Sequence, residues 1–157
     1  MGQQSTKGIF GGDRIMAFNG YLLRLLSTNG VYTEIPLGLL RYSTYKVTPD
    51  QRLDLDTGLR DLTGVMHRVV VNHVCTKIEV NTISLNDSQA NQLVTLLMSH
   101  VRNYLERDVY LQYWDTESQS YKTGHFYIPD IQWQIRNVDT GRNEINYGET
   151  RIAFIEY

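Results

Sequence analysis

A long strand-like run over residues 69–82, a closing run at 150–157 that reads as a strand, and a single well-capped helical stretch predict a mainly β domain with one helix, of the kind that assembles with other copies. The first strand is expected over residues 22–28, entered through Phe18, Asn19, Gly20 and Tyr21. Asn29-Gly30 then predicts a type I′ turn, because both residues tolerate positive φ. Residues 31–35 return as its partner, and Pro36 closes the hairpin. Residues 41–48 read as another strand, ended by Pro49 and Asp50.

Residues 50–66 interleave Asp50, Asp54, Asp56 and Asp61 with Arg52 and Arg60, while Gly58 and Gly64 supply turns, so a long polar loop is expected. Asp54 and Asp56 have the parity of a calcium loop, but the remaining spacing fails and no metal is assigned. In the run 69–82, Val74, Thr76, Ile78 and Val80 share one face, and Cys75, Lys77, Glu79 and Asn81 the other. Val69, Val70 and Val71 break the alternation, which predicts a bulge or bend near Asn72 and His73.

Asn86 as N-cap with Gln89 three residues on forms a capping box, and Leu85 with Ala90 a hydrophobic staple. Ala90, Leu93, Val94, Leu97, Val101 and Tyr104 recur at helical spacing, which predicts a helix over about 87–104 that covers one layer of sheet. Leu96 and Met98 widen its apolar stripe. Residues 109–114 alternate as a strand, 115–123 form a polar connection with Ser118 and Ser120, and 124–128 return. After Pro129 and Asp130, suited to a bulge or an edge, residues 131–136 resume clean alternation. A looped stretch through Gly141 and Gly148 leads to the last strand.

A chain of 157 residues fits one domain, expected over 18–157 behind an arm at 1–17. A domain of this size buries roughly 69% of its unfolded surface and needs no disulfide or metal to hold a core. Cys75 is the only cysteine, which excludes an internal disulfide and suits a small buried hydrophobe. A formal charge of -2 with both signs interspersed argues against nucleic-acid binding through a basic field. Arg24 interrupts the apolar run 22–26, so no stretch is suited to cross a membrane. Met1-Gly2-Gln3-Gln4-Ser5-Thr6 formally fits a myristoylation pattern, but the pattern is loose, and an arm that orders against a neighbour, or a disordered end, is the expected reading. Eleven tyrosines suit either an interface or the half-wet faces common in β domains.

Catalytic chemistry is not expected. His67 and His73 are six apart, but no zinc spacing surrounds them or His100 and His125, and each is read as a structural or surface histidine. No serine occupies a nucleophile elbow, and no glycine-rich segment precedes a helix. Asp54 or Asp61 with Glu79 would be the only carboxylate pair to consider for glycoside hydrolysis, and neither pair has support from spacing. No cofactor is implied.

Several blocks in order resemble small tail proteins of bacteriophages that infect Gram-positive and gut bacteria. They are Phe18-Asn19-Gly20-Tyr21, Tyr45-Lys46-Val47-Thr48-Pro49, Gln51-Arg52-x-Asp54-Leu55-Asp56, Lys77-Ile78-Glu79 and the run 150–157. Gly64-Val65-Met66-His67-Arg68, Phe126-Tyr127-Ile128-Pro129-Asp130 and the helix between them are similar to the same group. The resemblance implies a tail-tube-like architecture: a two-layer antiparallel β-sandwich or barrel with one flanking α-helix. It further implies a virion structural protein without catalytic residues, assembled in the host cytoplasm into a ring, hexameric in this family, beside other tail proteins as a tube, adaptor or baseplate component. The glycine-rich first 17 residues and the short length depart from a major tube protein and favour a connector or baseplate part. Residues 50–66 and the hairpin tip at 115–123 are expected to touch neighbouring subunits. A carbohydrate-binding β-sandwich, stacking sugars on Trp114, Trp133 and exposed tyrosines, is the alternative.

Overall fold

The structure is a computed structural model that describes residues 18–54, 60, 62–65 and 70–157. The expected arm at 1–17 lies outside the described residues, as do Asp56, Asp61 and His67. Among the described residues, nine strands and one helix follow in the order β1 (Leu23–Leu26), β2 (Tyr32–Glu34), β3 (Leu40–Asp54), β4 (Val70–Thr82), α1 (Asp87–His100), β5 (Asp108–Asp115), β6 (Ser120–Tyr127), β7 (Ile135–Asp139), β8 (Glu144–Tyr147) and β9 (Arg151–Glu156), with a 3-10 turn at Leu37–Leu39 before β3. Seven strands form one antiparallel sheet in the order β2-β1-β5-β6-β9-β4-β3, and β7 pairs with β8.

The sheet folds over on itself. Tyr45 on β3 donates its phenolic hydrogen to the Trp114 carbonyl on β5 over 2.8 Å. In a flat sheet those strands would lie four spacings, or about 19 Å, apart. The two halves therefore face each other as layers, the mainly β arrangement expected from the sequence. The inward faces of β1, β4, β5, β6 and β9 point into one core: Leu23 and Leu25, Ile78 and Val80, Val109 and Leu111, Phe126, Ile152 and Phe154. Leu93 and Leu97 of α1, both fully buried, join that cluster. Each such leucine contributes roughly 1.5–3 kcal/mol by burial.

The capping box forms as expected: Asn86 Oδ1 accepts from the Gln89 N–H at 2.8 Å, and Gln89 Oε1 accepts from the Asn86 N–H at 3.1 Å. Leu85 and Ala90 are both buried in the core. The helix stops at His100, four residues earlier than the apolar spacing suggests. Val101 turns extended, and the Asp108 carbonyl and carboxylate accept the N–H groups of Arg102 and Asn103, which draws the chain into a loop. Tyr104, expected on the apolar stripe, is 81% exposed on that loop.

Other expectations shift for identifiable reasons. At the first hairpin only Gly30 has positive φ, so the turn is not type I′; the Gly30 N–H closes it on the Ser27 carbonyl instead. Pro49 does not end β3. Asp50 takes φ 49° and the register slips between Thr48 and Gln51, a bulge that accommodates the proline while the strand runs on to Asp54. Residues 50–54 are therefore strand rather than loop. A second slip opposite Arg52 and Asp54 matches the irregularity expected near Asn72 and His73. The 115–123 connection shrinks to a turn at 116–119, because the Asp115 carboxylate accepts the Glu117 N–H and the Ser118 hydroxyl while Gln119 takes φ 51°. Residues 131–134 carry no strand pairing; β7 starts only at Ile135 and turns back through Asn143, at φ 55°, into β8. Their anchorage comes from Ile131 and Trp133 packing on the core.

Candidate functional site

The strand order places the shortest strand, β2, and the longest, β3, at the two ends of the sheet. The outer edge of β3 thus presents backbone donors and acceptors without a strand partner among the described residues. Two irregularities break that edge: Tyr42, Ser43 and Thr44 bulge between Arg41 and Lys46, and Pro49-Asp50 bulge further on. Thr44 fixes the first, its hydroxyl donating to the Arg41 carbonyl and accepting the Asn81 N–H. Bulges of this kind restrict edge pairing to short stretches and work against open-ended stacking of sheets. Tyr42 is 65% exposed beside an apolar hollow of about 320 Å³ formed with Phe18, Leu22, Leu37 and Gly38.

A polar group sits inside the fold beneath this edge. The Asp115 side chain is fully buried and meets Lys122 Nζ at 2.5 Å. Burial pushes the Asp115 carboxyl up, but the Lys122 bond, the Glu117 N–H and the Ser118 hydroxyl outweigh it and hold it below its ordinary value. Asp115 in turn raises Lys122. Burial drives the phenol of Tyr45 far above its usual range. Thr76 donates its backbone N–H to Glu156 at 2.8 Å. These bonds tie β3, β4, β5, β6 and β9 together where the layers meet.

The residues singled out from sequence do not converge. Glu79 is engaged by Lys77 and Arg151 on the outer face of β4 and β9, and Arg41 meets Glu149 nearby. The Asp54 side chain lies outside what the structure describes, as does Asp61. His73 is exposed, His100 is buried with Nδ1 2.7 Å from the Leu96 carbonyl, and His125 faces Asp108 at 2.8 Å. The His125 bond is the main reason the Asp108 carboxyl lies below its ordinary value. Among the described residues no three His, Cys, Asp or Glu side chains gather as a metal site. No described helix is long and apolar enough to cross a membrane.

Trp114 packs edge-on against Phe18 and Tyr121, whereas Trp133 packs against Tyr147. The two tryptophans therefore belong to separate clusters. Sequence reasoning missed a ladder on the outer face, where Arg102 lies over Tyr110, Tyr110 stacks on His125 and His125 on Tyr157. Its only signal was cross-strand pairing of Tyr110 with His125, which needs the register.

The sequence matches a family of unknown function, DUF6711, over residues 16–157. The chain belongs to this family. No curated protein matches it. Among solved structures, this DUF6711 member is similar to a chain from the tail of an empty GTA particle, obtained by helical refinement with C6 symmetry. The TM-score is 0.51 at 14% identity, over 90% of this chain and 95% of that one. The likeness extends to the fold as a whole: a folded-over antiparallel sheet with one helix.

Proposed function

We propose that this DUF6711 protein is a structural subunit of a phage tail, which closes into a hexameric ring as part of the tube, adaptor or baseplate and has neither cofactor nor catalytic activity. The observation that carries this reading is the fold likeness to a chain of a C6-symmetric tail, which spans nearly the whole of both chains. The block resemblance to phage tail proteins in the sequence agrees with it. The long outer edge of β3 supports it physically, since a ring needs a heterologous interface in which one surface meets a different one on the next copy.

The packing of Trp114 into the Phe18 and Tyr121 cluster favours a scaffold over a carbohydrate-binding module, which would need that ring open. Negative-stain electron microscopy of the purified protein tests the reading. Closed rings of uniform diameter are expected. Featureless single particles of one chain's size would overturn it.

A further inference from the structure

Residues 129–134 have the exposure pattern of a strand and none of its pairing. Pro129, Ile131 and Trp133 are half-buried, Asp130, Gln132 and Gln134 are exposed, and the chain runs without turn or bend. Among the described residues, the backbone of 130–134 makes one hydrogen bond, from the Gly148 N–H to the Gln134 carbonyl at 2.9 Å. Across from it, β9 pairs with β6 only at Ile155 and Glu156, which leaves the edge of Arg151–Ala153 on that side without a ladder partner. A groove of about 660 Å³ lies between, lined by Asp130, Gln132, Trp133, Gln134, Glu149 and Arg151. Two facing backbone edges, joined at Gln134–Gly148 and not beyond, form a slot suited to one extended strand.

We propose that this slot receives an extended segment from residues 1–17 of a second copy, so that each subunit of the ring completes the sheet of the next. The inference rests on the ring reading above. Seventeen residues precede Phe18, whose ring is fixed against Trp114 and Tyr121. A fully extended segment of that length reaches about 56 Å, enough to cross to a neighbouring molecule. The slot's own charges, Asp130, Glu149 and Arg151, are already ion-paired with Arg107, Arg41 and Glu79, so the contact rests on backbone pairing rather than on charge. β3, already paired with β4, has only one free backbone edge and is not suited to fill the slot. The contact is heterologous, slot to arm, as ring closure requires.

Hydrogen-exchange mass spectrometry of the full chain, compared between the dilute monomer and the assembled ring, tests this. The amides of 131–134 and of the arm are both expected to exchange at least ~10-fold more slowly in the ring. Gln132→Pro, which removes one slot N–H that bonds nothing among the described residues, is expected to abolish rings and leave the monomer's melting temperature unchanged. Gln132→Ala is expected to keep the rings. Protection that is already present in the monomer would mean that the chain's own arm fills the slot, and would overturn the exchange between copies. Protection of 131–134 without the arm would assign the slot to another segment and overturn the proposal equally. Rings with unprotected 131–134 amides would overturn strand insertion alone, whereas a wild type that stays monomeric at every concentration would overturn the ring reading with it.

Discussion

Asp115→Asn removes one charge from the buried junction between the layers without changing the side chain's shape. In the native protein the carboxylate is fully buried and accepts three bonds: the Lys122 ammonium at 2.5 Å, the Ser118 hydroxyl at 2.9 Å and the Glu117 N–H at 3.0 Å. The amide oxygen of asparagine keeps the Glu117 bond, while the NH2 that replaces Oδ2 accepts from neither Lys122 nor Ser118; the Ser118 hydroxyl can turn to accept instead, so the main loss is the charge-assisted bond to Lys122. Removing one partner of a fully buried pair costs about 3–5 kcal/mol. Lys122 is 40% exposed and can turn its charge to water, which lowers the expected cost to ~1–2 kcal/mol.

The acid dependence has a definite sign. The folded Asp115 pKa lies below its unfolded value, so the stabilisation is fully present above the unfolded pKa of about 3.9 and is lost as pH falls through the folded value. Protonated aspartate then resembles the asparagine, and the gap between the two proteins closes. Urea unfolding at pH 7 and again near pH 2.5, followed by circular dichroism, measures both quantities. A gap under ~0.5 kcal/mol at pH 7, or one of equal size at both pH values, would refute the reasoning.

Three further outcomes follow from the same structure. Tyr45→Phe deletes the bond to the Trp114 carbonyl that joins the two layers and is expected to cost about 1 kcal/mol, read as a lower urea midpoint at constant slope. Asn86→Ala removes the helix N-cap and is expected to cost ~1 kcal/mol, with Asn86→Gly costing only a few tenths. Phe154→Ala empties a fully buried site in the shared core and should destabilise by about 3–5 kcal/mol, measurable by calorimetry.

Local signals were legible in the sequence wherever a residue acts on its own neighbourhood. The Asn86–Gln89 box lies within one turn of helix, and the inward face of β4 at Thr76, Ile78 and Val80 follows from parity alone. The mainly β architecture followed from those alternations. What escaped depends on tertiary position. Pro49 reads as a strand end unless β3 is known to be an edge, where a bulge can absorb it. Val101 and Tyr104 continue a helical stripe, and only the capture of Arg102 and Asn103 by Asp108 ends it. Residues 131–136 alternate as a strand should, yet whether a partner lies beside them is not encoded locally. For the assembly surface the sequence pointed to residues 50–66 and the tip at 115–123; the β3 edge and the slot beside β9 emerge only from strand order.

The central claim concerns the number of copies in the functional particle, so the mass in solution tests it most directly. Light scattering coupled to size-exclusion chromatography, over a range of protein concentrations, is expected to yield a closed species of six 18.2 kDa chains. A single 18.2 kDa species that persists at the highest concentration would contradict the account.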